Sequence, residues 1–171
     1  TDYHSHLGTK RGGMAVGNSP GIHRSIHNIE NSYFRTKFES DLVKFQGNQG
    51  IGVISDTDPQ PLIIGSHLGV FGIVTVGRVN NMDELVRDAF ARKSYFSDTT
   101  DGDTNPTEVV AMRICREERF EEGIRNAQDA IQGSCSMLLL TKEGVYAARD
   151  RLGRTPLVIG RRDGALAVTS E

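Results

Sequence analysis

From Cys135 to Thr169 the chain alternates short apolar runs with tight reversals, and this stretch constrains the fold more than any other. The runs 136–141, 145–148, 156–160 and 165–169 are too short for helices. Lys142-Glu143-Gly144 and Arg162-Asp163-Gly164 join neighbouring runs. Reversals that tight connect only antiparallel strands, because a parallel pair needs a long crossover. The chain also carries 19 glycines, a usage that suits many turns and close backbone approaches.

Upstream the texture is mixed. Residues 1–30, with Gly8, Gly12-Gly13 and Gly17, read as turn-rich and without strong periodicity. Ile29, Tyr33, Phe34, Phe38, Leu42 and Phe45 recur at three- and four-residue steps, which predicts an amphipathic helix over 29–45. Residues 51–54 and 70–76 read as strands, and a helix follows from about Asp83 to Lys93. Residues 97–105 read as a loop. Pro106 then opens a helix over 107–122, followed by a second over 123–132 that stops at Gly133. Antiparallel strands with segregated helices define the α+β class.

With 171 residues the chain is sized for one domain. A net charge of −2 gives no general attraction to nucleic acid or membrane. No run reaches the ~18 apolar residues of a membrane span, and no signal peptide is visible, so the expected location is cytoplasmic. Cys115 and Cys135 are too few for a disulfide framework and read as reduced thiols. His4 and His6 would share one face of an extended segment, but His23, His27 and His67 add no recognised ligand spacing, so no metal is expected. Gly47-Asn48-Gln49-Gly50-Ile51-Gly52 precedes a strand rather than opening a helix, which excludes a dinucleotide loop. Thr1 raises the idea of an N-terminal threonine nucleophile, yet the residues behind it do not alternate as a buried strand would.

Residues 145–160, VYAARDRLGRTPLVIG, set Arg149, Asp150, Arg151 and Arg154 between two apolar runs. In isolation this knot fits a solvated hairpin tip, a phosphate site or a structural lock. The strand–turn–strand context favours the lock, with Asp150 paired to one of the three arginines beneath a turn that uses Gly153.

Residues 134–171, SCSMLLLTKEGVYAARDRLGRTPLVIGRRDGALAVTSE, closely resemble the end of the glutaminase domain in class-II glutamine amidotransferases, nearest to the amidophosphoribosyltransferase branch. That pattern is roughly S-x-x-L-L-T-x-x-G-[LV]-Y-A-A-R-D-P-L-G-x-R-P-L-x-x-G. Earlier segments agree in order: Leu7 to Gly12 with L-x-x-R-G, Gly50-Ile51-Gly52 with the start of G-x-G-H-T-R-[YW], Val76 to Asn81 with N-G-x-[LIV]-x-N, and Asn105 to Val109 with S-D-T-E-V. The resemblance implies an N-terminal-nucleophile fold, a four-layer sandwich with two antiparallel β-sheets between helical layers. It implies glutamine hydrolysis by an N-terminal cysteine, with ammonia passed to a synthase domain of purine biosynthesis.

The departures fall on the chemistry. The C-G-I-x-G opening is not among these residues. The arginine that pairs the glutamine α-carboxylate is here Ser55, the oxyanion asparagine is Val76, and the aspartate of S-D-T-E-V is Pro106, with Asp103 near enough to stand in. We therefore expect residues 1–171 to be one glutamine amidotransferase type-2-like domain without its nucleophile strand, followed by a phosphoribosyltransferase-like domain in the full-length protein. No residue is assigned as catalytic. Ser55, Asp56, Gly77, Arg78 and Asp103 are the expected lining of any surviving pocket, with Arg11 near its rim. Its ligand would be glutamine or a related small amide or amino acid, with no cofactor or metal; a homo-oligomer is compatible with the pattern. The alternative is a non-catalytic module that keeps the fold and docks onto a partner.

Overall fold

The computed structural model describes residues 10–18, 21–97, 99–100 and 102–170, and the side chains at 18, 99 and 100 lie outside that description. Strands β1 (Arg11–Asn18) and β2 (Gly21–Asn28) form an antiparallel hairpin, and β3 (Gln49–Ser55) pairs with the other edge of β1. A second antiparallel sheet runs β4-β5-β8-β9, from β4 (Leu62–Ser66), β5 (Gly69–Val79), β8 (Gly133–Leu140) and β9 (Val145–Ala148). Between β5 and β8 come helix α2 (Met82–Ala91), the ribbon β6 (Thr99–Thr100) with β7 (Asp103–Thr104), and helices α3 (Pro106–Ile114) and α4 (Phe120–Ala130). Strands β10 (Val158–Arg162) and β11 (Ala165–Thr169) pair only with each other among the described residues.

Strand alternation sorts the apolar side chains into three cores and so into four layers. Phe71 and Ile73 of β5 and Cys135, Met137 and Leu139 of β8 face Val110, Ala111, Ile114 and Ala127 of α3 and α4. The intervening Val74 and Leu140 face Ala15, Ile51 and Val53 of the first sheet. On that sheet's far side, Met14 and Ile54 meet Phe34 and Phe38 of a short helix, α1 (Phe34–Phe38). The order is helix, sheet, sheet, helices.

Several expectations need correction. From residue 10 the supposed turn-rich segment is the β1–β2 hairpin, with the consecutive residues His23 and Arg24 of its edge strand both exposed. Its glycines mark close packing: a Cβ at Gly12 would lie 2.6 Å from the Phe34 ring. The 29–45 helix shrinks to α1 and a 3-10 turn at Glu39–Asp41, because Asn28 Oδ1 accepts the Glu30 N–H and holds the entry in a turn. The 107–122 helix breaks between Ile114 and Phe120 although no proline or glycine marks the break. The helices then cross so closely that a Cβ at Gly123 would sit 2.3 Å from the Ile114 carbonyl oxygen. Strand β4 was not foreseen, and the 97–105 loop contains β6 and β7. His4, His6, Leu7 and Thr1 lie outside the described residues.

One clamp ties the outer helical layer to the first sheet. Asp41, 5% exposed, lies 2.5 Å from His27 Nε2 and 3.1 Å from Lys44 Nζ. The bond to His27 holds the Asp41 carboxyl at about 2 against the opposing pull of burial. A depressed carboxylate contributes stability that is whole above its unfolded pKa of about 4 and is lost as pH falls through the folded value. Melting temperatures recorded from about pH 5 down to pH 2 are therefore expected to fall more steeply for the parent than for Asp41→Asn, which has no such group to protonate. Parallel curves would show that the clamp is not coupled to folding.

Candidate functional site

Val53 and Val74 share the inter-sheet core, and Ser55 and Val76 lie two residues further along their strands, at one end of the sandwich. Ser55 is half-buried, faces Arg11 in the β1–β3 register, and its Oγ accepts the Thr57 N–H at 3.4 Å. Asp56 follows in the exposed turn. Val76 is 47% exposed and pairs with Ser136, while Gly77 and Arg78 pair with Cys135 and Ser134. Gly77 is required by geometry. Its φ is +144°, and a Cβ there would lie 2.2 Å from the Ser134 carbonyl oxygen. Asp103 lies on the β6–β7 ribbon, exposed and without an ion pair among the described residues. Ser55, Arg11, Val76, Gly77 and Arg78 thus belong to neighbouring strand segments, while Asp103 lies on the β6–β7 ribbon, two residues before Asn105, whose amide donates to the Pro59 carbonyl.

The Arg-Asp-Arg knot turns out to adjoin this end. Asp150, 3% exposed, makes no ion pair among the described residues; instead its carboxylate accepts backbone N–H groups from Leu152, Arg154 and Thr155 at 3.1, 3.2 and 3.0 Å. The predicted arginine pairing is thereby corrected. Arg151 reaches Asp129 instead, and Gln128 Nε2 donates to the Arg149 carbonyl. A compact anion is better matched by converging amides than by one guanidinium, and those bonds hold its carboxyl below the usual range even though burial pushes the other way. Gly153, at φ +65°, closes the turn by donating its N–H to the Asp150 carbonyl. The Asp150 N–H in turn donates to Ser136 Oγ at 3.0 Å, and Ser136 is the register partner of Val76. The lock is therefore one strand away from the position the resemblance assigns to the oxyanion asparagine.

A second polar group was missed in the sequence. Gln60, 6% exposed, donates through Nε2 to the Thr75 carbonyl (3.2 Å) and accepts the Thr75 N–H (2.7 Å), finishing β5 where β4 no longer pairs. Thr75 Oγ1 lies 2.6 Å from Thr107 Oγ1, and Asn105 caps α3 by accepting the Thr107 N–H. No residue-type pattern marks Gln60, because its partners are backbone groups fifteen residues away.

Neither cysteine offers a substitute nucleophile. Burial raises both thiols, Cys135 to about 12, where the reactive thiolate is scarce. A cavity of about 450 Å³, lined by Val70, Phe120, Leu140 and Tyr146, opens at the other end of the sheets. Val70 and Val76 are separated along β5 by roughly 20 Å, so this cavity is not the expected pocket.

A helix–sheet–sheet–helix sandwich with these strand ends is the architecture of the N-terminal-nucleophile amidotransferases, and comparison with known proteins agrees. Residues 49–171 match the family described as "Glutamine amidotransferase domain". The chain belongs to that family. It is 31% identical over 116 residues to amidophosphoribosyltransferase of Methanocaldococcus jannaschii, covering 66% of this chain and 24% of the relative. It is 34% identical over 144 residues to the chloroplastic amidophosphoribosyltransferase 2 of Arabidopsis thaliana, covering 78% of this chain and 25% of the relative. The structure of glutamine phosphoribosylpyrophosphate amidotransferase from B. subtilis, complexed with ADP and GMP, superposes with a TM-score of 0.83 at 24% identity, over 99% of this chain and 38% of that one. The chain thus spans about a quarter of the length of these curated relatives. No helix among the described residues is long and apolar enough to cross a membrane.

Proposed function

We propose that this is the glutaminase-type domain of an amidophosphoribosyltransferase-like protein, joined in the full-length chain to a phosphoribosyltransferase-like synthase domain, with a glutamine site that is degenerate here. Val76 carries the reading. An isopropyl group donates no hydrogen bond, so at the oxyanion asparagine's position it leaves only backbone donors such as the Gly77 N–H. Ser55 cannot supply the bidentate charged fork that an arginine gives a carboxylate. Pro106, at the first turn of α3, stands where the S-D-T-E-V pattern has an aspartate, which leaves Asp103 as the stand-in carboxylate. If a pocket persists, Ser55, Asp56, Gly77, Arg78 and Asp103 line it, and glutamine or a related small amide or amino acid is its ligand.

Loss of one oxyanion donor alone costs ~10²–10³ in rate. Ammonia release from glutamine by the full-length protein is accordingly expected to run at least ~10²-fold below an ordinary family member. Turnover within tenfold of such a member would contradict the degenerate site.

A non-catalytic docking module is the second reading, and the β10–β11 ribbon favours it. Val158, Ile159 and Leu166 are 50%, 73% and 72% exposed there, and a two-stranded ribbon has little stability without a covering partner. Co-purification of the full-length protein with a stoichiometric synthase subunit, without glutamine turnover, would support this reading over the fused enzyme.

A further inference from the structure

We propose that Arg92, Arg113 and Arg116, gathered around Asp88 between α2 and α3, form a binding site for a phosphate-type oxyanion. One carboxylate serves three guanidiniums. Asp88 Oδ2 accepts from Arg116 at 2.6 Å and lies 3.3 Å from an Arg113 nitrogen, while Oδ1 accepts from Arg92 Nε at 3.1 Å. Arg113 and Arg116 are only 17% and 18% exposed through their side chains, a depth at which arginine is ordinarily fully paired.

Glu84 also acts electrostatically on Arg113 from a distance, and it lies 3.4 Å from the Asn81 amide. Arg92 follows the last turn of α2 and Arg113 sits in the last turn of α3, so the helix ends take up part of the remaining positive charge. They do not take up the donors. Each guanidinium carries several N–H groups, but Asp88 accepts hydrogen bonds only from Arg116 and Arg92 and meets Arg113 as an ion pair, and the buried Arg113 Nε–H has no acceptor among the described residues.

The cluster is open on one side, because Asp88 is 32% and Arg92 63% exposed. Asp88 already takes the place that a planar carboxylate ligand would want. A tetrahedral oxyanion with three or more oxygens can instead bridge Arg92 and Arg116 from the solvent side. Such binding is independent of glutamine chemistry, since the cluster shares no residue with the Ser55 and Val76 strand ends.

Melting of the full-length protein should be followed against inorganic phosphate and pyrophosphate, with chloride at matched ionic strength as the control. The expected result is a saturable rise for the phosphates alone. Arg92→Gln should move its midpoint to at least about fivefold higher concentration. Asp88→Asn, which removes the competing carboxylate, should move it several-fold lower. A response equal to that of chloride, or one unchanged in Arg92→Gln, would overturn the site. Weaker binding in Asp88→Asn would do the same and identify the cluster as a clamp between two helices. If Asp88→Asn does not fold, the decision falls to Arg92→Gln, together with arginine Nε–H resonances, which should shift saturably on pyrophosphate addition.

Discussion

Asp150→Ala is expected to cost about 3–5 kcal/mol of stability, while Arg149→Ala and Arg154→Ala each cost under about 1 kcal/mol. The asymmetry follows from what the carboxylate holds. Three backbone N–H groups and the Ser136 hydroxyl converge on it at 3.0 to 3.5 Å, and removing a buried acceptor leaves its donors unpaid by water. The guanidiniums of Arg149 and Arg154 form no ion pair among the described residues and are exposed, so their loss removes little. Asp150→Asn keeps the shape but offers one acceptor oxygen and an unwanted amide donor, and should fall between. Because the folded carboxyl is held low, its contribution is whole above about pH 4 and fades only as the pH drops through that lowered value. Equilibrium denaturation of the four variants measures all of this. Equal small losses for all four would return the arginines to the role of partners.

Gly13→Ala should be as damaging. A Cβ there would lie 1.7 Å from the Gln60 carbonyl oxygen and 2.8 Å from the Pro61 ring, and neither can move freely. Gln60 is fixed by its two bonds to Thr75, and Arg24 donates to the Pro61 carbonyl at 3.2 Å. Overpacking typically costs 1–3 kcal/mol, and here the obstacle is backbone, so a loss of about 3 kcal/mol or more is expected. Gly65→Ala, where a Cβ meets nothing within 4 Å, is the control and should shift the melting point little. A folded Gly13→Ala protein with the parent's melting temperature would show that the contact between the sheets is looser than described.

What the sequence disclosed follows the physics of each element. The run from β8 to β11 was legible because its turns carry their own signal in Gly144 and Gly164, both at positive φ, and its one buried strand, β8, ends in the unbroken apolar run Met137 to Leu140. The β1–β2 hairpin was not legible, because an edge strand exposing His23 and Arg24 has no hydrophobic alternation to find. The break between α3 and α4 was hidden because it is imposed by the Gly123–Ile114 crossing, a tertiary contact with no local breaker. At the candidate site, Ser55, Val76 and Gly77 were read from motif register alone, and strand pairing sets Ser55 opposite Arg11 and Val76 opposite Ser136. Gln60 and Ser136 stayed invisible, since one answers a distant backbone and the other the Asp150 turn. The lock itself was foreseen correctly and its partners wrongly. Composition shows that an aspartate sits among arginines, but only folding shows that amides reach it first.

On the proposed reading, the fold of a glutaminase persists here while its glutamine site does not. Calorimetric titration of the full-length protein with glutamine tests it most directly, because binding needs the carboxylate clamp whether or not hydrolysis follows. No saturable heat is expected at glutamine concentrations into the millimolar range (a Kd weaker than about 1 mM, or about −4 kcal/mol). Saturable binding in the micromolar range, abolished by blocking the strand ends at Ser55 and Gly77, would contradict it.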